Sequence, residues 1–333
     1  MSDSNPPANA PLSLRVAGCW AIAGLSAFHL AFVFEPLGIL VVVYLAAMTV
    51  VPRLPSRRWA FYGGFLGGYA IGVPHLMFLF DVFGWGVIGL WGVFALWFAF
   101  YLLLGRTLLD RWPKRGGLLL PGLWLALEFF RSELYPLRFS WLIPAYALSH
   151  PLWSGVLPIV GIYGFSFCTM LAIAIAQQLS RRWSILWGTV CLFALLAVVV
   201  PQGNVEAQHP DVLIVGRQME SPTETQVLAG LDEMIQKQPD ADLLLLSEYT
   251  FDGPVPESVL AWCREHEQFL IAGGKEPMEH TDDFYNTIFV VSPKGEICFK
   301  QAKVQPIPFF QDGLPAERQE LWDSPWGKLG IAI

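Results

Sequence analysis

Two charged side chains in this 333-residue chain stand where apolar runs end. Glu248 follows the run DLLLLS directly. In α/β sheets the carboxyl ends of strands are where ligands bind, and a carboxylate there can serve as a general base. A solvated residue at a strand end is the other reading of the same position. Lys303 follows FKQA and precedes two prolines, Pro306 and Pro308, which stiffen the segment. A lysine fixed there could stabilise a developing oxyanion, or it is an ordinary surface lysine. Glu128 and Arg131 lie three residues apart within an apolar stretch, a spacing that lets them share a helix face and pair. Ionisable groups in a spanning helix are functional candidates, and a pair that only orients the helix is the alternative. Arg138 and Trp141 fall in the adjoining loop, where Trp is often an interfacial anchor. His29 and His75 read as packed or interfacial residues. The five cysteines, Cys19, Cys168, Cys191, Cys263 and Cys298, have no C-x-x-C spacing and suggest neither a disulfide framework nor a zinc site.

The elements that must position these residues fall into two environments. Hydrophobic residues make up 54% of the chain and charged residues 15%, against about 25% charged in an ordinary soluble domain. Residues 1–203 hold twelve Lys or Arg and six Asp or Glu, a net of +6. Residues 204–333 hold nine and twenty-two, a net of −13. No basic nucleic-acid signature and no cleavable signal peptide are evident. After a polar tail over 1–12, apolar stretches run over 14–33, 36–52, 59–80, 85–108, 117–134, 154–179 and 183–201. Each approaches the ~20 residues that cross a bilayer, so 13–203 reads as a bundle of about seven transmembrane helices.

Loop charges orient this bundle. Arg53, Arg57 and Arg58, then Arg106, Arg111, Lys114 and Arg115, then Arg181 and Arg182 occupy alternate loops, with Glu35 and Asp81 between. Basic loops face the cytoplasm. The N-terminus is therefore expected inside, and everything after residue 203 outside. Gly63, Gly64, Gly67, Gly68 and Gly72 in the third stretch signal close helix packing.

Residues 204–333 predict an α/β segment. Strands are expected over 212–218, 242–248, 269–274, 285–293, 296–302 and 328–333, and a helix over 256–267. Ser221-Pro222-Thr223-Glu224 reads as a helix start with Ser221 as the cap and Pro222 at the first helical position.

Taken in order, these motifs resemble the bacterial apolipoprotein N-acyltransferase family, a multi-pass helical membrane domain followed by a carbon–nitrogen hydrolase (nitrilase-like) α-β-β-α sandwich domain. The stretch 124–167 resembles that family's W-x-x-x-E-x-x-R, F-P-W-L and G-x-x-G-x-S-F series, with Phe139-Ser140-Trp141 at the second. LLLLSEYTF resembles its base-bearing strand, FYNTIFVVSPKGEI its Y-N-[ST] strand, and KVQPIPFF its lysine element. The resemblance implies a Glu–Lys–Cys triad with Glu248 as base and Lys303 at the oxyanion. It adds Tyr285, Asn286, Gln311 and Asp312 as substrate-side or structural residues. Phe310-Gln311 stands where the family has Gly-Glu, with Asp312 adjacent. The nucleophilic cysteine would follow Ile333, so the partial domain 204–333 is expected to lack it, and residues 1–333 alone to be inactive.

The implied reaction moves an acyl chain from a membrane phospholipid to the N-terminal diacylglyceryl-cysteine of lipoproteins, through a thioester. The implied location is the bacterial inner membrane with the hydrolase-like domain outside, and neither a cofactor nor a metal is implied. A membrane-anchored amidase and a degenerate, non-catalytic membrane protein are the alternatives.

Overall fold

The structure is a computed structural model, and it describes residues 11–179, 182–189, 191, 212–219, 221–307 and 311–333. Two compact units divide the chain, Met1–Val205 and Glu206–Ile333.

The first unit is helical. Its elements are α1 (Leu14–Val33), α2 (Val41–Val50), α3 (Arg57–His75), the short α4 (Leu79–Phe83), α5 (Val87–Arg111), α6 (Leu120–Phe129), the single turn α7 (Pro151–Ser154) and α8 (Leu157–Gln178). Residues 182–189 form a further helical piece, α9. Ser13 caps α1 and Ser56 caps α3, each accepting a backbone N–H through its side chain. Four segments among the described residues are long and apolar enough to cross a membrane: Leu14–Val33, Glu35–Arg53, Leu79–Arg111 and Leu157–Gln178. Most of the expected stretch 183–201, and residues 1–10 of the expected tail, lie outside the described residues.

Packing inside this unit explains the glycine pattern. Gly64, Gly68 and Gly72 face α5. A Cβ on Gly68 would sit 2.5 Å from Ala95 Cα, and one on Gly64 would sit 2.7 Å from Ala99 Cα. Gly67 would meet nothing within 4 Å, so only the row spaced by four makes the close approach. The expected stretch 117–134 is a composite. A 3-10 turn (Gly116–Leu119) leads into α6, which ends in a π-helical turn, Phe130–Leu134. That turn bends the chain where Arg131 sits, and such bulges interrupt the regular side-chain spacing.

The second unit is built on one five-stranded sheet in the order β1-β2-β3-β4-β5. Its strands are β1 (Ile214–Arg217), β2 (Leu243–Leu246), β3 (Phe269–Pro277), β4 (Phe284–Val291) and β5 (Ile297–Ala302). The pairs β1–β2 and β2–β3 are parallel, joined through α10 (Glu224–Lys237) and α11 (Glu257–Glu265). The pairs β3–β4 and β4–β5 are antiparallel.

Alternation along the strands divides the core. Leu244, Leu246, Leu270, Ala272, Phe289 and Val291 pack with Val227, Leu231, Val259 and Trp262 of the two helices. Leu243, Ile271 and Val290 cluster with Trp322 of a separate hairpin, β6 (Leu321–Ser324) and β7 (Gly327–Gly330). The chain is thus a helical bundle with membrane-spanning helices, followed by an α/β segment, as its composition predicts.

Two local expectations are corrected. The cap of α10 is Thr223, whose side chain accepts from Gln226 N–H while the Gln226 side chain accepts the Thr223 N–H. This reciprocal box starts the helix two residues beyond Ser221, whose φ of +44° keeps it in the turn. The expected strand 328–333 is shorter and lies in the hairpin rather than in the main sheet.

Candidate functional site

Glu248 sits just past β2, where the chain leaves the sheet. Tyr249 takes a φ of +53°, a left-handed conformation unfavourable for a bulky residue. The neighbouring strand must come close here. A Cβ on Gly273 would lie 2.7 Å from Glu248 Cα, so β3 can pass the turn only as glycine. Ser247 anchors the turn, its Oγ donating to Met219 O at 2.7 Å and accepting Met219 N–H at 3.1 Å.

Lys303 follows β5, and its backbone N–H donates to Asn286 O at 2.8 Å. Its ammonium donates to Glu248 Oε1 at 2.9 Å and lies 2.9 Å from Asp312 Oδ2. Asn286 Nδ2 donates to Glu248 Oε1 at 2.5 Å and to Asp312 Oδ1 at 2.9 Å. Asp312 also accepts the Tyr249 hydroxyl and the Ile307 N–H, each at 2.6 Å. Lys303, Asn286 and Asp312 are buried, whereas the Glu248 side chain is 40% exposed. Among the described residues Glu248 Oε1 thus takes two hydrogen bonds and Oε2 none, and two of the three ammonium protons of Lys303 are engaged.

The electrostatics follow from this geometry. Burial pulls the Lys303 ammonium pKa down, but the hydrogen bonds and charges of Glu248 and Asp312 outweigh it, leaving a net rise. Burial pushes the Asp312 carboxyl up, and the donors Tyr249, Ile307, Lys303 and Asn286 outweigh that, leaving a net fall. Both groups keep their charges at neutral pH.

The sequence candidates divide accordingly. Glu248, Lys303, Asn286 and Asp312 are brought together. Gln311 is exposed and lines an adjoining cleft with Tyr249 and Lys275. Tyr285, the residue before Asn286, is half-buried on β4 opposite Glu276. Tyr249 and Lys275 were not singled out from sequence. Tyr249 had only its place beside Glu248 as a signal, and Lys275 only its place at the end of an apolar run.

No cysteine sulfur among the described residues is within hydrogen-bond reach of Glu248 or Lys303. Cys263 is buried, which pushes its thiol up to about 12. Cys298 is exposed on β5, its thiol raised by partial desolvation and donating to Val290 O at 3.5 Å. Among the described residues no cluster of three or more metal-binding side chains occurs.

In the helical unit Glu128 and Arg131 are both buried, but no ion pair within 4.0 Å joins them. The π-helical turn carries Arg131 to Trp141 O at 3.1 Å and over the Phe94 ring at 5.1 Å. Glu128, Arg131 and four aromatic residues (Trp97, Phe98, Tyr101 and Trp124) line one small internal cavity. Arg138 has a φ of +42°, and Trp141 is part-exposed and packs edge-on against Phe139. His29 and His75 stack, with Nδ1 and Nε2 2.9 Å apart.

The cavity that Glu128 and Arg131 line belongs to a segment with known counterparts. Residues 23–175 match the apolipoprotein N-acyltransferase N-terminal domain. Over these residues the helical unit is similar to that domain, in line with the motifs of 124–167, and with its apolar spans the chain is a membrane protein. No curated protein matches the chain. Among solved structures, it is similar to that of Saccharomyces cerevisiae Nit3, a member of branch 10 of the nitrilase superfamily. The identity is 20% and the TM-score 0.28, over 32% of this chain and 47% of the other. The chain thus spans about half the length of the solved structure it matches.

Proposed function

We propose that this chain belongs to an enzyme that transfers an acyl group from a phospholipid to the N-terminal amine of diacylglyceryl lipoproteins, with the Glu248–Lys303 pair as its acid–base and oxyanion machinery. The observation that carries this reading is the shared geometry of Glu248, Lys303, Asn286 and Asp312, on a chain whose helical unit matches the N-acyltransferase domain. Glu248 Oε2 takes the proton of the nucleophilic cysteine thiol that the family resemblance implies. The thiolate attacks the ester carbonyl, and the free proton of Lys303 meets the oxyanion. The C–O bond breaks, Glu248 returns its proton to the departing lysophospholipid alkoxide, and a thioester remains. The lipoprotein amine then attacks, Glu248 accepts its proton, and the C–S bond breaks to regenerate the thiol.

The helical unit, 13–203, holds both lipid substrates at the membrane surface, and 204–333 carries the chemistry on the outer face. The alternating basic loops support a cytoplasmic N-terminus. The membrane spans favour lipid substrates over the soluble amides of a simple amidase.

The test is mass spectrometry of a lipoprotein N-terminus after incubation with phospholipid. The enzyme that carries this chain adds one acyl chain, and its Glu248→Gln variant adds none. No acyl transfer by the parent enzyme, or transfer by the Glu248→Gln variant, refutes the reading.

A further inference from the structure

Beside the Glu248–Lys303 site opens a cleft with Ser221, Tyr249, Asp252, Lys275 and Gln311 on its walls. Two of these residues, Ser221 and Tyr249, hold positive φ values of +44° and +53°. Backbone strain of this kind gathers at ligand sites. The cleft and the site share Tyr249 as a wall, since its hydroxyl donates to Asp312.

The sheet register relates the two places. Lys275 on β3 pairs with Asn286 on β4, and Asn286 O accepts the backbone N–H of Lys303. Three adjacent chains thus carry Lys275, Asn286 and Lys303 in one row. Residues in register on neighbouring strands point to the same face of a sheet. Strands lie about 4.8 Å apart, which separates the two lysine backbones by roughly 10 Å. Between them, Asn286 is buried with its Oδ1 lacking any hydrogen-bond partner.

Lys275 is poised rather than consumed. Its ammonium lies 5.1 Å from the Phe284 ring and 5.8 Å from the Tyr249 ring, which fix its stem. Asp252, 2.5 Å away, is its one anionic partner within 4.0 Å among the described residues, and that carboxylate is 89% exposed. A pair so open to water is weak, and another anion can replace Asp252 by exchange.

We infer that Lys275 binds the phosphodiester of the phospholipid donor while Lys303 addresses the ester carbonyl of the same molecule. The inference rests on the proposed acyl-donor reading. A glycerophospholipid carries one negative phosphodiester a few bonds from its ester, which suits one lysine at each end of the row.

The test uses purified 1–333 in detergent and isothermal titration with dihexanoylphosphatidylglycerol, dihexanoylglycerol and a short peptide carboxylate. The phosphodiester probe binds more tightly than the uncharged lipid. Lys275→Met weakens it at least tenfold, and Lys275→Arg restores it to within threefold. Asp252→Asn, which removes the competing internal anion, tightens binding, an effect a merely structural ion pair would not produce. Equal binding of the two lipids, a change under twofold in Lys275→Met, weaker binding in Asp252→Asn, or Lys275-dependent binding of the peptide alone overturns the inference. Binding needs no nucleophile, so absent acyl transfer leaves this result standing. Conversely, acyl transfer with an unchanged KM for phosphatidylglycerol in Lys275→Met defeats this inference alone.

Discussion

Replacing Asp312 with Ala tests whether the site is held together from behind Glu248. Asp312 is 1% exposed and accepts from four donors. Lys303 and Asn286 keep Glu248 as a second partner, while the Tyr249 hydroxyl and the Ile307 N–H keep none among the described residues. Hydrogen bonds to a charged acceptor contribute about 1.5–3 kcal/mol each. Two donors losing their sole partner therefore cost about 3–6 kcal/mol. Ile307 is 47% exposed and water replaces part of its loss, so the lower end, about 3 kcal/mol, applies. For the Ile307 amide alone, about 1.5 kcal/mol corresponds to roughly tenfold faster hydrogen exchange, at about 1.4 kcal/mol per decade. Hydrogen–deuterium exchange of 1–333 in detergent, read by mass spectrometry on peptides spanning 303–316, measures it. The strand β2 serves as the internal reference. If exchange near Ile307 rises less than threefold, Asp312 is not the hub described here.

The same network sets a pH window. Asp312 has a lowered folded pKa, so its contribution is complete above the ordinary Asp value of about 3.9 and is lost as pH falls through the lower folded value. Lys303 has a raised folded pKa, so its contribution is complete below about 10.4 and is lost as pH rises through the higher folded value. Tryptophan fluorescence across a pH titration reads both limbs, and loss of structure between about pH 5 and 9 contradicts the assignment. In the bundle, Gly68→Val forces a side chain into Ala95, and overpacking of this kind costs about 1–3 kcal/mol. Its thermal midpoint in detergent falls while that of Gly67→Val stays near the parent, and equal midpoints refute the α3–α5 contact. A Cys263 thiol near 12 leaves about one part in ten thousand as thiolate at pH 8. Iodoacetamide therefore spares Cys263 in the folded chain and labels it after denaturation, and rapid labelling of the folded chain would show the burial to be wrong.

Much of the architecture was legible because apolar runs and charge segregate along the chain. LLLLS ending in Glu248, and Lys303 ahead of two prolines, were visible as local patterns. Cross-strand register was not, because no local pattern says that Lys275 faces Asn286. Tyr249 and Asp312 meet only once loops 63 residues apart in sequence close on each other. Glu128 and Arg131 carry a helical spacing, but the π-helical turn after Phe129 breaks the periodicity that the spacing assumes. The start of α10 was misplaced for a similar reason. Ser221 and Thr223 are both good caps, and only the Gln226 side chain decides between them.

The sheet changes from parallel to antiparallel at β3, and this has a consequence for the order of assembly. The meander β3–β4–β5 closes through short turns, so its loop-closure entropy is small and it can form early. It already brings Asn286 and Lys303 together. Glu248 reaches them across 38 and 55 residues of chain, and β2 joins β3 only through the α11 crossover. The Asn286–Lys303 side of the site is thus built first and Glu248 is delivered to it. In pulse-labelled exchange during refolding, amides of β4 gain protection before those of β2, and during that interval the paired lysine and asparagine stand without the Glu248 carboxylate they later share.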